Sequence, residues 1–197
     1  MAMSEPRPNV VILAGPNGAG KSTVASALLR EALAVDEFVN ADVIARGLSG
    51  FEPDRVAIAA GRIMLARLKE LAARRADFAF ETTLATRSFA PWLRDLRLLG
   101  YDMHLFFLWL SSADLAIARV ADRVGIGGHY VADEVVRRRY SAGIHNFFTL
   151  YRPLATTWTV YNNSGPEPIC VAEGLASETI GVYDKDVWAT ITRQGTK

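Results

Sequence analysis

The chain has 197 residues, of which 50% are hydrophobic, 22% charged and 10% aromatic, the balance of a soluble globular protein with enough apolar material to bury a core without disulfides or metals. Its 22 basic and 21 acidic residues leave a net charge of +1, which excludes a global field drawing it to nucleic acid or to an anionic membrane surface. The length suits one domain over residues 1–197.

Residues 1–8 are polar and carry two prolines, a flexible N-terminus without the features of a signal peptide. Beyond them, strand-like and helix-like apolar blocks alternate, the pattern of an α/β fold on a mostly parallel sheet. Residues 10–14, continuous and β-branched, predict a buried central strand, and 21–34 predict a helix after it. Residues 38–40 form a short second strand candidate. Glu52-Pro53-Asp54 opens a helix to about Arg75, with Pro53 placed where its missing N–H is harmless and Ile63, Leu65, Leu68, Leu71 and Ala72 as its apolar content. Residues 78–80 make a third strand ending at Glu81-Thr82-Thr83, and 88–99 a helix stopped by Gly100.

The fourth strand is 103–110. Its apolar run from Leu105 to Leu110 is far short of a membrane span and reads as buried strand rather than an aromatic stacking platform. Ser111-Ser112-Ala113-Asp114 resembles a capping box and starts a helix to about Val124. Gly125, Gly127 and Gly128 break the chain into a flexible segment, after which 133–150 are helical. Residues 158–161 and 169–171 are late strands, with Trp158 and Tyr161 packing the core. Cys170 is the only cysteine, so no intrachain disulfide forms, and its apolar neighbours make it a buried, inert thiol. From 177 onward the pattern is weak, with a last helix expected near 184–192. No oxidising or membrane compartment is indicated, and a cytoplasmic protein is expected.

Gly15-Pro16-Asn17-Gly18-Ala19-Gly20-Lys21-Ser22 fits G-x-x-x-x-G-K-[ST] in full, between a strand and a helix. Glycines let successive N–H groups point into one cavity, and the loop opens onto a helix N-terminus. This P-loop predicts a site for the phosphates of ATP or GTP, extending to Thr23, with Lys21 on the β- and γ-phosphates and Ser22 on Mg²⁺.

Three further constellations bear on the reaction. Asn40-Ala41-Asp42 follows the second strand, at the carboxyl edge of the sheet where ligands bind. There Asp42 either accepts a proton from a substrate hydroxyl or caps a helix over 43–48. Glu81-Thr82-Thr83 ends the third strand on the same edge, either fixing a substrate hydroxyl or a Mg²⁺-bound water, or forming a small polar loop. Arg119 and Arg123 precede the glycine hinge, and Arg137, Arg138 and Arg139 follow it. Such a segment, about 119–140, suits a helical lid that brings guanidinium groups to a transferring phosphoryl, although two or three of the five arginines are expected to be a solvated helix face. His129 either contacts a ligand or is a loop residue.

In order along the chain, the P-loop from Gly15, Asn40-Ala41-Asp42, Phe80-Glu81-Thr82-Thr83-Leu84, the segment from Arg119 to Val124, Gly127-Gly128-His129, Arg138-Arg139-Tyr140 and the segment from Trp158 to Ser164 resemble the zeta toxin family of P-loop kinases. The resemblance implies a kinase-like three-layer sandwich and transfer of phosphoryl from ATP or GTP to a hydroxyl of a nucleotide sugar, UDP-N-acetylglucosamine for that family's toxins. It implies Asp42 as general base, Glu81 and Thr83 as substrate contacts with Asn40, Thr82 and His129 beside them, and Arg123 with Arg137 or Arg138 on the γ-phosphoryl. An antitoxin protein as partner also comes with it. Compact members of the family often carry Asp-Asn-Ser where this chain has Asn162-Asn163-Ser164, so any role of that carboxylate is absent here. Two rival readings are a kinase of a nucleoside, coenzyme or antibiotic, and a non-enzymatic nucleotide-binding regulatory module.

Overall fold

A computed structural model describes residues 7–26, 35–125 and 130–196. Seven strands form one sheet in the order β2-β3-β1-β4-β5-β6-β7. They are β1 (Asn9–Ala14), β2 (Phe38–Val39), β3 (Phe78–Thr82), β4 (Asp102–Trp109), β5 (Thr157–Asn162), β6 (Ile169–Leu175) and β7 (Glu178–Val182). The first five run parallel, and β6 and β7 are added antiparallel at one edge. The described helices are α1 (Lys21–Ser26), α2 (Ala41–Leu48), α3 (Ala57–Ala73), α4 (Phe89–Leu98), α5 (Ala113–Gly125), α6 (Asp133–Asn146) and α7 (Lys185–Gly195). None of these is long and apolar enough to cross a membrane.

The pattern of β1 follows from its central place. Val10, Ile12 and Ala14 enter one apolar cluster and Val11 and Leu13 another, so both faces of the strand are buried and every position must be apolar. The first cluster takes Met64, Leu68 and Leu71 from α3. Ile63 and Leu65, expected to contribute to that helix's packing, stand 44% and 39% exposed instead. Leu13 is in register with Glu81 and Ala14 with Thr82. The phosphate loop and the end of β3 therefore leave the sheet side by side, at the switch point where ligands bind in parallel sheets.

Four local expectations are revised. Helix α5 is capped by Ser112, whose Oγ accepts from Leu115 N at 3.1 Å, while Ser111 N donates to Ser164 Oγ. The helix predicted over 133–150 ends at Asn146 and continues as a π-helical turn, Phe147–Tyr151. Residues 178–182 form an edge strand that alternation could not reveal, because its first three side chains are all exposed. Trp158 is fully buried, stacked on Trp188 with Arg152 over its ring. Cys170 is partly rather than fully buried, and burial pushes its thiol up from the ordinary value, which keeps it protonated at neutral pH.

Helix α6 lies against the end of β3. A side chain at Gly143 would place its Cβ 2.4 Å from Thr83 O, so only glycine admits this approach. Asn146 Nδ2 donates to Leu84 O at 2.7 Å, fixing the same junction. The single proton of Tyr140 OH is shared between Leu110 O at 2.8 Å and Gln194 Oε1 of α7 at 3.2 Å, and that Oε1 also accepts from Trp109 Nε1.

Candidate functional site

The loop after β1 turns at Gly15, Gly18 and Gly20, all at positive φ, a region that L side chains adopt only under strain. Lys21 opens α1 and folds back, donating from Nζ to Gly15 O and Pro16 O at 2.9 Å each. Burial pulls its ammonium below the ordinary lysine value, while the Glu81 and Asp42 carboxylates push the other way. Beneath the loop, Asn163 at the end of β5 donates from Nδ2 to Ala19 O at 2.7 Å. Its main-chain oxygen, with those of Ser164 and Gly165, accepts from Arg119. Arg119 thus braces the loop beneath the phosphate site. Asn162 Oδ1 accepts from Ser164 N, a turn that an aspartate at that position could make equally well.

Glu81 is the hub of the site. Its Oε2 accepts from Ser22 Oγ at 2.8 Å and from Asn40 Nδ2 at 2.7 Å, and its Oε1 lies 3.6 Å from Lys21 Nζ. Asn40, not Asp42, caps α2: its Oδ1 accepts from Asp42 N and Val43 N. The side chain of Asp42 is therefore left out of the cap and exposed in the first turn of the helix. Thr82 and Thr83 accept through their hydroxyls from Leu84 N and Ala85 N, which shapes the loop after β3.

Two hollows meet on these residues. One, of about 280 Å³, is floored by Gly18, Gly20, Lys21, Ser22 and Thr23 and walled by Arg46, Arg119 and Arg123. The other, of about 470 Å³, is walled by Ile58, Arg62, Thr83, Phe89 and Arg139. Asn17, Lys21, Asp42 and Glu81 line both.

The expected arginines separate. Arg123 lines the phosphate hollow. Arg137 is turned to Asp114 on α5, 2.5 Å away, and Arg138 is exposed. Arg139 reaches the site instead, with Nη1 3.4 Å from Asn17 Oδ1. Burial lowers its guanidinium from the ordinary value and the Asp42 charge opposes that. His129 lies outside the described residues.

Residues 10–145 match the AAA domain family AAA_33. The chain belongs to this family. An uncharacterized protein of Haemophilus influenzae is 28% identical over 130 residues, 66% of this chain and 91% of the relative. Among solved structures, the AAA_33 chain is similar to a chain of the AvrRxo1-ORF1:AvrRxo1-ORF2 complex, solved with sulphate ions (TM-score 0.73, 16% identity) and with ATP (0.71, 15%). In each case 95% of this chain is covered, but it spans only 64% of the other. It is also similar to the PezAT chromosomal toxin–antitoxin system of Streptococcus pneumoniae, at TM-score 0.66 and 14% identity over 98% of this chain and 86% of that one. The same fold is shared, at TM-score 0.52 and 16% identity over 96% and 94% of the two chains, with a gluconokinase of Sinorhizobium meliloti 1021. The fold is that of a kinase-like P-loop NTPase.

The AAA_33 site suits Mg²⁺. One hydroxyl, Ser22, and the carboxylates Asp42 and Glu81 line one hollow, the sparse set of hard oxygens that holds this ion together with phosphate oxygens. Among the described residues no cluster of three or more His, Cys, Asp or Glu forms an all-protein metal cage.

Sequence reasoning counted Arg139 among the five lid arginines but put Arg123 with Arg137 or Arg138 on the γ-phosphoryl, and it left Arg62 and the loop-bracing Asn163 out of the site. For Arg139 a signal existed. Val136, Tyr140, Gly143 and Ile144 form the buried face of α6, and of three consecutive arginines the one at i+3 from Val136 and i−4 from Gly143 flanks that face.

Proposed function

We propose that this protein is a phosphotransferase that moves the γ-phosphoryl of ATP or GTP to a hydroxyl of a small molecule in the cytoplasm, with a nucleotide sugar such as UDP-N-acetylglucosamine as acceptor. The observation that carries this reading is the shared wall: Lys21, Asp42 and Glu81 belong to the phosphate hollow and to the hollow beyond it. A γ-phosphoryl held by Lys21 and a hydroxyl beside Asp42 then meet across a short span, as in-line transfer requires. Arg62 and Arg139 in the second hollow favour an anionic acceptor.

In this reading Gly15 to Thr23 cradle the phosphates, and Lys21 offsets charge on their β- and γ-oxygens. Mg²⁺ held by Ser22 supplies further neutralising charge there. Asp42 takes the proton of the acceptor hydroxyl as that oxygen bonds to the γ-phosphorus. The β–γ bridging oxygen departs with its electron pair, giving ADP or GDP. Arg123 and Arg139 face the transferring group, while Glu81 and Thr83 border the acceptor. AvrRxo1-ORF1 is seen in complex with AvrRxo1-ORF2 and PezAT is a toxin–antitoxin system, which supports an antitoxin-like partner.

The test is mass spectrometry of UDP-sugars, nucleosides and coenzymes incubated with protein, ATP and Mg²⁺. The expected result is one product heavier by a single phosphoryl group. Asp42→Asn should lower its rate by roughly 10²- to 10⁴-fold with ATP affinity nearly intact. Full transfer by that variant would remove Asp42 from the role of base. ATP binding with no transfer to any acceptor would favour a nucleotide-binding module.

A further inference from the structure

Asn40, expected beside the substrate, borders the second hollow, and its amide is engaged by the protein. The residue is 6% exposed. Oδ1 accepts two N–H bonds from the first turn of α2, and Nδ2 donates to Glu81 Oε2. That same oxygen accepts the proton of Ser22 Oγ. A hydroxyl has one proton and two lone pairs. With its proton directed at Glu81, Ser22 turns its lone pairs elsewhere, and lone pairs are what a hard cation uses. Glu81 therefore sets the orientation of the Ser22 oxygen, and Asn40 is the neutral donor that holds Glu81 in place. Among the described residues the other hydrogen-bond and ion-pair partners of its carboxylate are Ser22 itself and Lys21 at 3.6 Å, and Lys21 is required by the phosphates.

We propose that Asn40 is a positioning residue: through one planar amide it aligns Glu81, and through Glu81 the Ser22 oxygen, for the cation that accompanies the nucleotide, while fixing the helix that carries Asp42. The inference rests on the reading of the loop as a Mg²⁺–nucleotide site but not on any acceptor. It assigns no ligand contact to Asn40.

The experiment is titration of a fluorescent ATP analogue, with Mg²⁺ and with chelator, into wild type, Asn40→Ser, Asn40→Thr, Glu81→Ala and the Asn40→Ser/Glu81→Ala double variant. Ser and Thr both retain a capping oxygen, so α2 and the melting temperature are kept, while the amide Nδ2 that extends beyond that oxygen to Glu81 is lost. The expected result is a Mg²⁺-free affinity within about twofold of wild type and a Mg²⁺-dependent affinity weaker by about tenfold, the scale of one hydrogen bond to a charged group. In the Glu81→Ala background the Asn40→Ser change should add less than about twofold, because it acts only through that carboxylate. A full Mg²⁺ enhancement in both capping variants would overturn the proposal. So would an equal loss with and without Glu81, which would make Asn40 a direct ligand contact. No acceptor is present, so a failure of the phosphotransfer reading leaves these outcomes unchanged, whereas wild type that binds no ATP overturns both.

Discussion

Asn163→Asp is nearly isosteric, yet it should weaken both the fold and the phosphate site. The residue is 8% exposed, and its Nδ2 sits 2.7 Å from Ala19 O. Aspartate puts an oxygen where the donor was, so two acceptors face each other at bonding distance. Leaving the Ala19 carbonyl unpaired costs about 1–3 kcal/mol, and burying a carboxylate against it raises the sum to about 2–4 kcal/mol. For a chain near 200 residues each kcal/mol shifts the melting temperature by roughly 2–4 °C, so a drop of about 4–16 °C is expected. Ala19 and Gly20 form the loop itself, so affinity for MgATP should fall more than about tenfold, with added negative charge beside the phosphates contributing. Differential scanning fluorimetry and titration with labelled ATP measure both. Asn163→Ala, which removes the bond without adding charge, should lose less affinity than Asn163→Asp. A melting temperature within about 2 °C of wild type together with unchanged affinity for the aspartate variant would refute the bracing role.

Two further predictions use other parts of the fold. Gly143→Ala sets a Cβ 2.4 Å from Thr83 O; overpacking of about 1–3 kcal/mol should exceed the helix gain of about 1 kcal/mol, so thermal melts should show net destabilisation, and unchanged or raised stability would contradict the close packing of α6. His104 bonds Thr157 Oγ1 and Asn9 Oδ1, and burial lowers its pKa below 6.5 while Asp102 partly opposes this. A base with a depressed folded-state pKa binds its proton more weakly when folded than unfolded, so its contribution to stability is lost as pH falls from about 6.5 toward the folded value. Denaturant melts at pH 7.5 and 5.5 should show this loss in wild type and a smaller one in His104→Gln; equal losses would assign it to other groups.

Much of the fold was legible because β1 must be apolar on both faces and the phosphate loop needs its glycines at fixed spacing. The edge strand β7 was not, since Glu178, Thr179 and Ile180 are all exposed and carry no alternation. Within the site, Asn40-Ala41-Asp42 announced a helix start but not which residue caps it. Both can cap by propensity, and the choice follows from strand β2 ending at Val39, which puts Asn40 in extended backbone. The three consecutive arginines had equal claims by charge. Only the packing of α6 on β3 separates Arg139 from Arg137, which pairs with Asp114.

The contact between Gly143 and Thr83 also limits how this cleft can diversify. At that point helix and loop touch backbone to backbone, so no side chain can be added at position 143 without moving both. The opposite wall is built from side chains of α3. Ile58 is 76% exposed, and Arg62 and Leu65 are exposed beside it, with no comparable constraint. Change in the size of this cleft therefore falls to the side chains of α3, and change in its charge to Arg62 of α3 and Arg139 of α6, while position 143 is held to glycine.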